Sequence, residues 1–202
     1  MGLGEITAAV GRGFKGAARF SGRDARSHFW PYAIFLFLLN GAATLLAVVP
    51  LMMDLFERIR RFAIEHPEHV RVESGPGHYS IKIQGYHPEL MPDLGGFALS
   101  LAVVGAATAA LLAAAVVRRL HDRDSSGLWG LMPLPFLALG FALIPKLFSG
   151  FATAAPDMRL FFLLFLNNLC YLSALIALIV MLAKRGTPGP NRFGDDPAAP
   201  SA

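Results

Sequence analysis

The side chains best equipped for chemistry stand in one run, Arg118 to Gly130, which reads RRLHDRDSSGLWG. His121 could act as acid or base, with Asp122 orienting it or holding a divalent metal. That pair would suit attack on a lipid-linked phosphate. Adjacent helical residues point about 100° apart, so the two converge on one ligand only where the helix has ended. Ser125 and Ser126 are the nearby hydroxyls. A second chemistry needs no reaction at all. If Asp124 or Ser125 caps the following helix, its free amide hydrogens and positive dipole end meet Arg118, Arg119 and Arg123 near Ser126 and Gly127. Such a place suits an anion, whether a phospholipid phosphate, a nucleotide or the chain's own Asp195 and Asp196. The plain structural alternative has the arginines anchoring helix ends, while Asp122 and Asp124 pair with Arg23 and Arg26 to fasten loops together.

These residues are polar punctuation in an apolar chain. Of 202 residues 54% are hydrophobic and 16% charged, and mean hydropathy is +0.50, values of a multi-span membrane protein rather than a soluble domain. The formal charge of +4 and pI near 9.6 come from cations that flank apolar runs. Membrane topology and anionic lipid account for that placement, so nucleic acid is not expected as a partner. A lone Cys170 allows no disulfide within the chain. No motif for a cofactor is present. The first apolar run begins after about thirty polar and small residues and exceeds a signal peptide's h-region, so it is expected to stay attached.

The expected fold is an all-α membrane protein: four transmembrane helices, an N-terminal amphipathic helix and a small extracytoplasmic β-hairpin insertion. Residues 1–30 place Ile6, Val10, Phe14 and Ala17 at helical spacing among Arg12, Lys15, Arg19, Arg23 and Arg26. This predicts a basic helix lying on the membrane surface and ending at Phe20-Ser21-Gly22. The membrane domain, residues 31–185, has spans at 31–53, 94–117, 128–145 and 160–183. Between the first two lies the insertion, 54–93. There the helical pattern runs on past Arg61 until Pro67 stops it, and alternating Val70, Val72, Tyr79, Ile81 and Ile83 predict the hairpin. His66, His69, His78 and His87 lie in this insertion without zinc-site spacing, so no metal is expected. The second span carries rows of small residues, Ala98 to Ala114 and Gly105 to Ala113, that would let a neighbouring helix approach closely. The fourth holds Asn167, Asn168, Tyr171 and Ser173, expected to hydrogen-bond between helices. Prolines and glycines keep the tail, 186–202, from forming a regular helix, and its last six residues are expected to be disordered. The first thirty residues, the Arg118 run and the tail share the larger excess of cations, which puts both termini in the cytoplasm and the hairpin outside.

Three motifs converge on that cytoplasmic face: Gly22-Arg23 to Trp30 (GRDARSHFW), Arg118 to Gly130, and Gly186 to Pro197 (GTPGPNRFGDDP). In them the chain resembles the bacterial inner-membrane family termed domain of unknown function 805. The resemblance rests on Gly22, Arg23, Arg26, Phe29 and Trp30, on Arg118 to Asp122 with Ser126, Gly127 and Trp129, and on Gly189, Asn191, Phe193, Gly194 and Pro197. It departs at Phe193, where tyrosine is expected, and in a longer outer hairpin. It implies four spans and the bacterial inner membrane, and assigns no activity.

Two functions compete. One is a non-enzymatic module whose cytoplasmic face binds an anionic headgroup or a protein partner through Arg23, Arg26, Arg118, Arg119, Arg123, Ser126, Gly127 and Asn191. The other is a membrane enzyme for a lipid-linked phosphate, with His121 and Asp122 as its catalytic candidates. Small-solute transport is disfavoured, because no span carries an ionisable group away from its ends.

Overall fold

The computed structural model describes residues 2–85, 87, 90, 94–152 and 157–197. Five helices and a hairpin follow in order: α1 (Leu3–Lys15), α2 (Arg26–Glu65), β1 (Val70–Gly75), β2 (His78–Ile83), α3 (Leu94–His121), α4 (Leu134–Ala152) and α5 (Met158–Ala183). Four of the helices, α2 to α5, are long and apolar enough to cross a membrane. Large apolar side chains such as Phe37 and Leu46, 74% and 77% exposed, face outward along them, which water would penalise and a bilayer rewards. The chain forms two compact units, Met1–Leu36 with Ala109–Ala202, and Phe37–Thr108.

In the first unit the core is a narrow stripe. Phe29, Tyr32 and Leu36 of α2 meet Ala115, Val116 and Leu120 of α3 and Leu178 and Leu182 of α5. Spacings of three and four on α2, and of four between Val116 and Leu120 and between Leu178 and Leu182, keep the stripe on one side of each helix. The Tyr32 hydroxyl donates to the Leu111 carbonyl at 3.0 Å, so its polar tip is satisfied inside the stripe. Of the small residues in α3, Ala114 is buried while Gly105, Ala106, Ala109 and Ala110 are exposed. Close approach is thus concentrated in the last turns of α3.

Helix α1 docks differently from its apolar periodicity. Ala9 and Gly13 are its buried residues, whereas Ile6 and Phe14 are 39% and 42% exposed. Gly13 decides this, because a Cβ there would sit 2.3 Å from the Tyr32 ring. Phe14 is left to pack edge-on against Tyr32 and Phe35, with centroids 5.4 and 5.9 Å away. The helix stops at Lys15, with Gly16 as its C-cap, five residues earlier than the expected turn. Arg26 to Trp30 belong instead to α2.

The third span, Gly127–Leu147, opens on a 3-10 turn before α4 begins. Gly127–Leu131 forms a 3-10 turn capped by Ser126, whose side chain accepts from the Leu128 amide. Neither Asp124 nor Ser125 takes that place. Gly127 and Gly130 lie against Val117 and Val116, where a Cβ would come within 2.7 and 3.0 Å. Pro133 and Pro135 bracket the first residue of α4, where backbone amides lack intrahelical partners anyway. Pro145 does not end this helix, which runs on to Ala152; one lost hydrogen bond is tolerated inside a continuous apolar stretch. On α5, Asn167 Nδ2 reaches the Phe136 carbonyl of α4 at 2.9 Å, while Ser173 turns back to the Leu169 carbonyl of its own helix.

The second unit contains the rest of α2, the hairpin and the first half of α3. Strands β1 and β2 pair antiparallel from Val70↔Ile83 to Gly75↔His78; Gly77, at φ +76, supplies the left-handed residue of the turn. Thr108 Oγ1 donates to Asn40 Oδ1 at 3.0 Å, a polar tie between α3 and α2. Phe62 is buried against the rings of His66 and His87, with centroids 4.9 and 4.4 Å away. Among the described residues, no three metal-ligating side chains group to hold an ion. The expectation of a disordered end falls, beyond Pro197, outside the described residues.

Candidate functional site

The last turn of α3 places Arg119 and Asp122 three residues apart, hence on one face, and both are buried. Gly22, at φ +90, turns the preceding loop so that Arg23 comes down on the same carboxylate. Arg23 Nε and Nη2 lie 3.1 and 3.0 Å from Asp122 Oδ1, and Arg119 Nη1 takes Oδ2. Two guanidinium groups therefore share one buried carboxylate. Charges removed from water this way persist only when every remaining donor finds an acceptor.

The rest of the lattice supplies those acceptors from the tail. Arg23 Nη1 donates to the carbonyls of Gly189 and Gly194 at 2.7 and 3.2 Å, and Nη2 to that of Thr187 at 2.7 Å. Arg119 Nε reaches the Leu182 carbonyl at 2.9 Å, with Nη2 on that of Lys184. The Thr187 amide returns to the Asp122 carbonyl at 2.9 Å. Asn191 Nδ2 donates to the His121 carbonyl at 2.9 Å. No Cβ fits at Gly186, where it would lie 2.1 Å from Asp122 Oδ2. Arg118 faces the N-terminal side. Its Nε meets Asp24 Oδ2 at 2.8 Å, and its Nη1 donates to the carbonyls of Gly16 and Arg19.

His121 points elsewhere. Its ring stacks on Phe193 with centroids 3.8 Å apart and planes 3° from parallel, and Nδ1 lies 3.2 Å from the Gly22 carbonyl oxygen. Arg192 covers Phe193, 4.8 Å from the ring centroid, and pairs with Asp124 at 3.0 Å. The histidine and the adjacent aspartate thus serve different neighbours. Of the other anion-binding candidates, Arg123 donates to the Met181 carbonyl at 2.8 Å, Ser126 caps the 3-10 turn, Gly127 packs on Val117, and Arg26 is exposed at the start of α2.

Beside the lattice opens a cavity of about 430 Å³ lined by Arg12, Lys15, Arg19, Arg23 and Arg118, together with Asp24 and His28. Arg23 and Arg118 form its floor, Arg23 sharing Asp122 with Arg119 and Arg118 paired with Asp24. Arg12 touches His28, with Nη1 2.8 Å from Nε2. Arg12, Lys15 and Arg19 are exposed and have no acidic partner among the described residues, so the cavity keeps an excess of positive charge. Sequence reasoning counted these three as topology and did not name them as a site. The i,i+3 spacing of Arg12 and Lys15, with Gly13 and Gly16 letting α1 approach, was the available signal.

The family model described as "Protein of unknown function (DUF805)" matches residues 17–195. No curated protein and no solved structure matches the chain.

Proposed function

We propose a role from one premise: the chain belongs to the DUF805 family, whose function is unknown. In this reading it is a multi-pass, non-enzymatic module of the bacterial inner membrane. Both termini and the α3–α4 turn face the cytoplasm, and the cavity beside α1 holds an anionic phospholipid headgroup. The observation that carries it is the set of three cations, Arg12, Lys15 and Arg19, around the cavity, none with an acidic partner among the described residues. The buried arginines expected to bind the anion spend their donors within the chain. They hold the floor, and the exposed three would meet the phosphate. Leu3, Ile6 and Phe14 of α1 are exposed alongside, apolar groups that suit a helix lying in the lipid interface. A catalytic use of His121 with Asp122 gains no support from geometry that commits Asp122 to two arginines.

The test is lipid retention. Protein extracted with its lipids, or reconstituted in nanodiscs of mixed phosphatidylglycerol and phosphatidylcholine, is compared with Arg12→Gln, Lys15→Gln and Arg19→Gln together. At about 1 kcal/mol per cation, each substitution should weaken phosphatidylglycerol retention on the order of fivefold. Equal retention by the folded triple variant, or no preference for the anionic lipid, would overturn the reading.

A further inference from the structure

Helices α4 and α5 enclose a groove of about 430 Å³, the size of a small-molecule site. Its walls are aromatic, with Phe136 and Phe141 from α4 and Phe161 and Phe165 from α5. Three polar side chains of α5 line it as well: Asn167, Asn168 and Tyr171. Asn167 Nδ2 donates to the Phe136 carbonyl at 2.9 Å, which settles which end of that amide is which. Its Oδ1 is buried without a donor, on a residue only 7% exposed. Neither the Asn168 amide nor the Tyr171 hydroxyl has a partner among the described residues. Asn168 stands ten residues from the start of α5, about 15 Å along the helix, where a hydrocarbon core is about 30 Å thick. Water and phospholipid heads are absent at that depth, and acyl chains offer neither donor nor acceptor. Polar groups left bare there are costly.

We infer that this groove binds a neutral membrane lipid with a quinone or quinol ring. Each part of that chemistry answers a feature of the groove. No charged side chain lines it, so the occupant is neutral. Aromatic walls on both helices suit a flat ring, which they meet by offset stacking or edge to face. Asn168 Nδ2 and the Tyr171 hydroxyl donate to the carbonyl oxygens of the oxidised ring. Asn168 Oδ1 and the Tyr171 oxygen accept from the hydroxyls of the reduced ring, with the orphaned Asn167 carbonyl beneath them. A long-chain alcohol would bring one hydroxyl and no ring, and a diacylglycerol keeps its glycerol at the interface. This inference is independent of the headgroup reading, whose cavity lies beside α1.

Photolabelling of the full chain in phosphatidylcholine nanodiscs tests it. An azido-substituted decylbenzoquinone is the probe, and labelled peptides are mapped by mass spectrometry. Label should fall between Phe136 and Ile144 and between Phe161 and Tyr171. Excess decylubiquinone should remove it, whereas equimolar farnesol or dioleoylglycerol should remove little. Asn168→Leu and Tyr171→Phe should each weaken the apparent affinity of decylubiquinone about three- to twentyfold, the range of single hydrogen bonds between helices in membranes. Label outside the two segments, or unchanged affinity in both folded variants, would overturn the assignment. Equal competition by all three lipids would overturn it too, marking a crevice that any lipid fills. If Asn168→Leu fails to fold, Tyr171→Phe, which loses only a hydroxyl, decides alone.

Discussion

Asp122 and Arg23 are joined across 99 residues of sequence by two hydrogen bonds, 3.1 and 3.0 Å, onto a single carboxylate oxygen. Arg119 holds the other oxygen. Removing the carboxylate charge strands two buried cations. Asp122→Asn should therefore cost about 3–5 kcal/mol, seen as a lowered thermal midpoint in detergent with retained helical circular dichroism below it. An unchanged midpoint would mean that the arginines find enough compensation in backbone carbonyls alone.

Gly186 supplies a steric test of the same contact. Gly186→Ala drives a methyl into the Asp122 carboxylate, 2.1 Å from its Oδ2, and should destabilise by about 1–3 kcal/mol. Gly4→Ala, in α1 with nothing near its Cβ position, should be neutral or stabilise by about 0.4–1 kcal/mol. Parallel melting curves of the two variants separate close packing from a general effect of losing glycine.

Docking of α1 depends on Gly13 lying against Tyr32. Gly13→Leu should release α1 and leave the membrane helices intact. Limited trypsin digestion would then cut at Arg12, Lys15 and Arg19 at least tenfold faster, the ratio for about 1.4 kcal/mol of lost docking energy. Equal digestion rates would show that α1 is held by other contacts.

The ring of Phe193 is sandwiched by His121 on one side and Arg192 on the other. Phe193→Tyr keeps both faces and should be tolerated. Phe193→Ala should cost about 0.5–1.5 kcal/mol of stacking beyond the lost burial, read as faster amide hydrogen exchange at Thr187 and Asn191 than in the parent chain. Exchange rates that match the parent's would assign the tail's order to its polar contacts with Arg23, Arg119 and Asp122.

The sequence made the four apolar helices and the hairpin legible, because length, hydropathy and two-residue alternation are local signals. It also brought Arg23, Asp122 and Asn191 to one face through their motifs. The cavity was not legible. Its walls depend on where α1 docks, and α1 docks through Ala9 and Gly13, small residues that carry no periodic signal. Nor could spacing tell that Asn167 would be bonded and Asn168 exposed, since neighbours on a helix differ only in which way the packed core lies. The two roles of His121 and Asp122 were equally hidden, because only the tail's path decides which of them it covers.

The lattice also has an order in time. Arg119 is made 63 residues before the Leu182 carbonyl it binds, and Arg23 is made 171 residues before that of Gly194. Until residues 182–194 leave the ribosome, the two guanidinium groups lack most of their backbone acceptors. Closure of the tail over Asp122 is thus a late step of folding, and the charge cluster stays open until Thr187, Gly189 and Gly194 arrive to cover it.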